Sequence, residues 1–279
     1  MRTLVITGGT QGIGRALAGH HLSRGDRVVV VGTRPAAAGD GRLSFVSADL
    51  SSASTTMDLA ERLRTEHPRI DALVLGAFRF QTRRRETAEG IEQTFALYVL
   101  SRFLLAEGLR PALDRAAHPV IVNLCGTGTT AGRLNWEDLQ SRARYRPLAA
   151  TMQGARANDL LGVAFTEQDR TSRIRYVLHN PRFVDTGLAQ PFGQPVRALV
   201  TGFAKLFASP VGTAIQPIIE RIDNPPDDAL SAFVVRRPVA VSGPAFDPVA
   251  ARRLTGVLAE MAVRQPPAGP TGPTGVPAP

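Results

Sequence analysis

A chain of 279 residues that is 43% apolar has ample material for a buried core and fits one α/β domain or two small ones. Its formal charge of +9 raises the question of a nucleic-acid partner, but the basic residues are scattered along the chain, Arg83–Arg85 is the one triplet and no aromatics alternate with them, so a solvated basic surface and no nucleic acid are expected. The longest apolar runs, Arg27–Gly32 and Leu73–Phe78, are too short for a bilayer span of about 20 residues, Met1 leads straight into a strand-like run with no room for a signal peptide, and one cysteine excludes an internal disulfide, which together predict a cytoplasmic protein.

In chain order, β-branched apolar runs predict strands at Thr3–Thr7, Arg27–Gly32, Leu43–Ala48, Ala72–Leu75, Val120–Leu124 and Arg175–Leu178. Helix-length segments alternate with them at Ile13–Arg24, Ser54–Glu66, Gly90–Leu109 and Thr151–Gln168. Such alternation predicts an α/β fold, a Rossmann-type doubly wound parallel sheet in a single domain spanning residues 1–263. After Asp185 the pattern loosens into proline and glycine with a short helical piece, Arg197–Phe207, which reads as a substrate lid over about 187–224. Residues 264–279, rich in proline and glycine, read as a disordered tail.

The stretch TGGTQGIG, Thr7–Gly14, follows the first strand and opens the first helix. In that context Gly8 allows a tight turn, Gly12 lets backbone approach a diphosphate, and Gly14 lets the helix pack on the sheet, with phosphate charge at the helix N-terminus. A glycine turn kept for packing alone is the plainer alternative. Arg34, just after the second strand, stands where an acidic residue would hold the ribose hydroxyls of NAD; an arginine suits a 2′-phosphate and points to NADP(H), unless it is one more exposed arginine. Asp49 ends the third strand, either to accept from an adenine amino group or to cap the next helix.

TGGTQGIG, the ADL at Ala48–Leu50, Thr87–Leu113, IVNLCGTG at Ile121–Gly128, GRLNWEDL at Gly132–Leu139 and HNPRFVDTGL at His179–Leu188 resemble, in order and spacing, the short-chain dehydrogenases/reductases. The branch resembled includes retinol-dehydrogenase-like and bacterial polyketide-tailoring members. This resemblance implies a cofactor-binding set of Gly8, Thr10, Gly12, Ile13, Gly14, Arg34, Asp49, Leu50 and Thr186. It also implies an Asn-Ser-Tyr-Lys catalytic set, in which tyrosine donates the proton and lysine lowers its pKa. Carried across residue by residue, those four positions fall on Tyr98, Gly126, Thr151 and Ala155. No tyrosine has a lysine four residues on in any register: the residues four beyond the three tyrosines are Arg102, Ala149 and Asn180, and the only lysine, Lys205, follows Thr201 at that spacing. On the cofactor side, Phe78 replaces a glycine of the family's NNAG turn, and Pro181-Arg182 replaces its proline-glycine.

The candidates for chemistry are therefore replacements. Tyr98 would face the cleft with Arg102, one turn later, lowering its pKa, or else fill space. Tyr145 could reach in as an acid, or stack at a loop base. Thr127, Thr129 and Thr151 could hydrogen-bond a substrate carbonyl, or serve turns and caps. His179 ends the sixth strand at the ligand edge of the sheet and titrates near neutrality, and Arg182 could bind an anionic oxygen. Cys125 reads as a buried small residue, Asp185 as a turn former, and no metal-ligand spacing occurs.

The leading expectation is non-redox chemistry (cyclisation, dehydration or isomerisation) on a small, mainly apolar, polyketide-like molecule, with NADP(H) structural or lost. The alternatives are an NADPH-dependent ketoreductase with another proton donor, and a non-catalytic binder. The family resemblance implies a homo-oligomer, dimer or tetramer, through the Gly90–Leu109 and Thr151–Gln168 helices, with a monomer equally open.

Overall fold

The structure is a computed structural model that describes residues 1–33, 41–129, 132–182, 184 and 210–263. Its strands are β1 (Thr3–Thr7), β2 (Arg27–Gly32), β3 (Leu43–Ser47), β4 (Ala72–Leu75), β5 (Val120–Leu124), β6 (Arg175–Asn180), β7 (Leu230–Val234) and β8 (Arg237–Val239). They form one eight-stranded sheet in the order β3-β2-β1-β4-β5-β6-β7-β8. Every neighbouring pair is parallel except β7 and β8. This is the doubly wound sheet the alternating pattern predicts: central strands buried on both faces read as continuous apolar runs, as Leu73–Leu75 and Val28–Val31 do.

Helices cover both faces. On one side lie α1 (Gly12–Ser23) and α5 (Val211–Asp223), which bury Leu17, Ile215, Ile218 and Ile222 against Leu4, Val28 and Val122. On the other lie α2 (Ala53–Glu66), α3, α4 (Pro147–Gln168) and α6 (Pro248–Val263). The long helix α3 is α-helical over Gln93–Phe95, π-helical over Ala96–Leu100 and α-helical again over Ser101–Leu113. Helix α6 packs along α4.

Three elements go beyond the sequence expectation. β7, β8 and α6 extend the fold past the sixth predicted strand. The described end of the predicted lid is α5, whose Ile215, Ile218, Ile219 and Ile222 recur at helical spacing and cover the sheet. Pro217 lies inside that helix and gives up a backbone hydrogen bond there, which is why the segment reads as loosened. Residues 187–209, with the helical piece at 197–207, and the tail at 264–279 lie outside the described residues. Among the described residues no helix is long and apolar enough to cross a membrane.

Candidate active site

Strand order reverses between β1 and β4, and an open α/β sheet takes its ligand in the crevice outside the carboxyl ends at that point. Thr7 ties the two loops of the crevice together: Oγ1 donates to Val74 O (3.2 Å) and accepts from the amides of Gly76 (3.0 Å) and Ala77 (3.2 Å). Gly8 and Gly12 have φ of 70° and 53°, conformations glycine reaches without strain. A Cβ on Gly14 would stand 2.5 Å from Gly8 O, so turn and helix touch directly. Gln11 places no side-chain cap on α1 and its first turn holds no acid, which leaves the first amides and their partial positive charge to a ligand. Ile13 packs into the core under α1, and Thr10 leans on Gly32, where a Cβ would meet its Cγ2 at 2.9 Å.

On the far side of the crevice the expectation for Asp49 needs correction as a cap. Ser52, not Asp49, caps α2, accepting from Thr55 N at 3.2 Å. Asp49 Oδ1 instead accepts from Ser51 N (2.9 Å) and Ser51 Oγ (2.7 Å), and its side chain stays exposed while Leu50 is buried. Arg34 and Thr186 lie outside the described residues.

The π-turn of α3 sets Ser101 N against Ala96 O, five residues back, an irregularity that often marks a functional site. Tyr98 O accepts from Asn158 Nδ2 at 2.8 Å. The Tyr98 side chain is 5% exposed, edge-on to Phe78 (centroids 4.9 Å apart, planes at 62°) and 4.6 Å from the Arg102 guanidinium. A Cβ on Gly154 would stand 2.6 Å from Tyr98 Cδ1, so the ring fits only beside a glycine. Tyr98 OH accepts from Gly126 N at 3.1 Å, and Gly126 faces Ala155, where a Cβ on the glycine would meet the alanine Cβ at 2.9 Å. Three of the four positions implied by the family resemblance therefore meet, with a phenol hydroxyl occupying space that two small residues leave. Among the described residues that hydroxyl has no acceptor for its own proton. Its pKa is raised, not lowered: burial outweighs the opposing pull of Arg102 and of the Gly126 amide.

The other predicted residues are not brought to this point. Thr151 donates its hydroxyl to Pro147 O at 3.0 Å, spending it on the backbone of α4. Tyr145 donates to Gln81 O (3.3 Å) and pairs with Thr94 Oγ1 (3.1 Å), stapling the loop before α4 to the loop after β4, with its pKa raised by burial. His179 is fully buried and, two residues from Val177, points to the α1/α5 face of the sheet. Burial, aided by the charge of Arg221, pushes it down to about 4, so it is a neutral core residue and not an acid or base for the cleft. Burial pushes the Cys125 thiol up to about 12, which removes it as a nucleophile. Thr127 is buried beside Asp159.

Arg182 is exposed just past β6, its amide donating to Asn180 Oδ1 at 2.9 Å, with φ of 58°. The family resemblance puts a glycine here, and the left-handed conformation costs a non-glycine residue about 1–2 kcal/mol. Arg182→Gly is accordingly expected to raise the thermal midpoint by about 2–4 °C, measured by circular dichroism. A lowered midpoint would mean the arginine side chain contributes more than its backbone costs.

Two networks have no counterpart in the sequence expectation, where Arg102 served only to lower the Tyr98 pKa. Arg102 is 2% exposed and its guanidinium spans the crevice wall: Nη1 donates to Asn123 Oδ1 and to Leu124 O (2.8 Å), and Nη2 to Ala77 O (3.1 Å). Asn123 Nδ2 donates in turn to Asn158 Oδ1 (2.9 Å) and Tyr176 OH (3.0 Å). On α4, Arg156 Nη2 lies 2.7 Å from Asp159 Oδ2 and donates to Gly126 O at 3.2 Å. Burial pushes the Asp159 carboxyl up to about 6, against the pull of Arg156 and the Thr127 hydroxyl. Gly126 is thus held by its N–H on Tyr98 and by its carbonyl on Arg156. The i, i+3 spacing of Arg156 and Asp159 was a legible signal; that of Arg102 and Asn123, 21 residues apart, was not.

A glycine turn at the switch point, an uncapped helix behind it and a side-chain cleft beside it define a Rossmann-type protein. The family profile described as short chain dehydrogenase matches residues 2–137. A candidate daunorubicin C-13 ketoreductase from Streptomyces sp. (strain C5) is 32% identical over 197 residues, covering 62% of this chain and 67% of that protein. Polyprenol dehydrogenase from Danio rerio is 28% identical over 222 residues, covering 74% of this chain and 68% of the relative. The NADPH-bound carbonyl reductase from chicken fatty liver shares the fold, with a TM-score of 0.62 at 15% identity over 86% of this chain and 99% of that one. The chain belongs to the short-chain dehydrogenase/reductase family, and the relatives matched here are named as dehydrogenases and reductases.

The residues present fit a nicotinamide dinucleotide at its diphosphate end, where α1 offers uncapped amides behind two left-handed glycines. At the other end Ala155 provides no amine for a ribose, and Phe78 adds a ring.

Proposed function

We propose that this protein is an NADP(H)-dependent reductase of a small carbonyl compound, in which Tyr98 donates the proton that a tyrosine–lysine pair supplies elsewhere in the family. The observation that carries the reading is the Tyr98 hydroxyl, oriented by the Gly126 amide with its own proton uncommitted among the described residues. Bound NADPH would supply hydride. The α1 amides of the glycine turn would hold its diphosphate and Arg34 its 2′-phosphate.

The chemistry of Tyr98 favours reduction over oxidation. A phenol whose pKa is raised by burial stays protonated across the physiological range, so the donor is always loaded. The proton passes from Tyr98 Oη to the carbonyl oxygen as that oxygen becomes an alkoxide, and the resulting phenolate, strongly basic in a dry site, recovers a proton from solvent. Alcohol oxidation would require the same atom as a base, the form that burial disfavours. The non-redox reading expected from the sequence keeps Thr151 and Ala155 in its favour, but the names of the relatives, a dehydrogenase and a ketoreductase, support redox chemistry, and the free phenol proton supports the reductive direction. The test is consumption of NADPH with a panel of aliphatic and aromatic ketones and quinones, preceded by a titration with NADPH, NADP and NADH. NADPH binding with substrate-dependent oxidation is expected. Absence of nucleotide binding at millimolar concentration would overturn the proposal and return the cleft to non-redox chemistry.

A further inference from the structure

Seven of the chain's 32 arginines fall within 79–85 and 142–146, two stretches totalling 12 of 279 residues. Along the sequence these look like separate basic spots. The fold joins them. Tyr145 OH donates to Gln81 O (3.3 Å), Arg84 Nε donates to Gln140 O (3.2 Å), and Gln140 Oε1 accepts from Glu92 N (3.0 Å), so the loop after β4 and the loop before α4 form one stitched rim. The rim flanks the cleft: Phe78 opens the first loop against the Tyr98 ring, and Tyr145 of the second meets Thr94, one turn before Tyr98 on α3.

Its carboxylates are mostly spent. Glu86 pairs with Arg84 (2.8 Å), Glu92 accepts from the Thr94 and Phe95 amides (2.8 and 2.7 Å), and Asp138 accepts from the Arg142 and Ala143 amides (2.7 and 2.9 Å). Glu137 is the exposed one left over. Arg79, Arg83, Arg85, Arg142, Arg144 and Arg146 are exposed, and none has an ion-pair partner among the described residues. Like charges fixed in neighbouring loops repel one another, and a cleft bordered by one sign of charge concentrates ligands of the other sign. Guanidinium groups match phosphate and carboxylate oxygens in forked pairs.

We infer that this arginine rim binds an anionic group on the substrate, and that the cleft takes a small molecule carrying two or more negative charges, phosphate or carboxylate. This differs from the mainly apolar substrate expected from the sequence. The inference deepens the reductase reading, because it takes the Tyr98 cleft as the substrate site.

Its test needs no turnover. The full-length protein, free of nucleotide, is titrated calorimetrically with inorganic pyrophosphate and with citrate at low ionic strength, alongside R83A/R85A/R144A and, as a control for the α1 anion site, Gly12→Asp. Saturable binding to the wild type is expected, weakened about tenfold or more in the triple variant and retained in Gly12→Asp. Tighter pyrophosphate would assign a phosphate-bearing substrate, and tighter citrate a polycarboxylate. All three arginines are exposed, so the triple variant is expected to melt as the wild type does, and an unfolded one would be replaced by R83Q/R144Q. No binding, equal binding by the arginine variants, or binding lost only in Gly12→Asp would overturn the inference. If the anion titration holds while no carbonyl compound oxidises NADPH, the reductase reading falls and the anion site stands.

Discussion

Tyr98→Phe is expected to lower kcat for carbonyl reduction by about 10²–10³-fold while leaving NADPH affinity within a factor of two, because a positioned proton donor contributes about 10²–10⁴-fold. The substitution is conservative for the fold. The ring keeps its place against Phe78 and Gly154, and what disappears is one hydroxyl that accepts from the Gly126 amide. Leaving that amide unpaired costs about 1–3 kcal/mol, which a family member of this size can absorb and which thermal melting would report separately. The pH profile gives a second expectation. With the Tyr98 pKa raised by burial, the phenol does not ionise between pH 6 and about 9, so wild-type kcat should show no ionisation from this group in that window. Equal rates for Tyr98→Phe and wild type would remove Tyr98 as the donor and leave water or the substrate's own acid in that role.

The sheet was legible because its central strands are buried on both faces and so read as unbroken β-branched runs: β1, β2, β4 and β5 have the bounds predicted from sequence. Legibility failed where punctuation misleads. Pro217 hides the isoleucine stripe of α5, and proline-rich neighbours mask β8 and α6, although Leu254 and Leu258 of α6 are fully buried. The cleft was half legible. Spacing within the family placed Tyr98 opposite Gly126 and Ala155, but the π-turn that contains Tyr98 has no sequence signal, and the glycine at 154 that admits the ring gains meaning only once α3 and α4 are packed. His179 failed for the opposite reason: the edge of the sheet was right, but strand alternation sends its ring to the wrong face. The arginine rim was invisible because its two halves lie about 60 residues apart and are joined by side chains, Tyr145 and Arg84, whose partners are backbone carbonyls.

Arg102→Met is expected to be the most damaging single change to stability near the cleft. Among the described residues the buried guanidinium has no carboxylate partner, so its charge rests on dipoles: Asn123 Oδ1 and the carbonyls of Leu124 and Ala77, with the Tyr98 ring alongside. Two effects oppose each other in the variant. Removing a buried charge relieves the desolvation that already lowers the Arg102 pKa, whereas three acceptors at the carboxyl ends of β4 and β5, the buried Asn123 Oδ1 and the part-buried carbonyls of Leu124 and Ala77, lose their donor at up to about 1–3 kcal/mol each. Three orphaned acceptors outweigh the relief, because methionine fills the volume but donates nothing. A net loss of about 2–4 kcal/mol, or roughly 5–12 °C in the thermal midpoint, is expected. Arg102→Lys should recover only part of it, since a single ammonium cannot reach acceptors on both strands in the forked geometry. Ala77 sits between the Thr7 hydroxyl and Arg102, so the same loss should loosen the loop that carries Phe78 and increase amide exchange at Gly76 and Ala77 in hydrogen-exchange measurements. An Arg102→Met protein that melts with the wild type and keeps those amides protected would show that Thr7 alone holds the crevice.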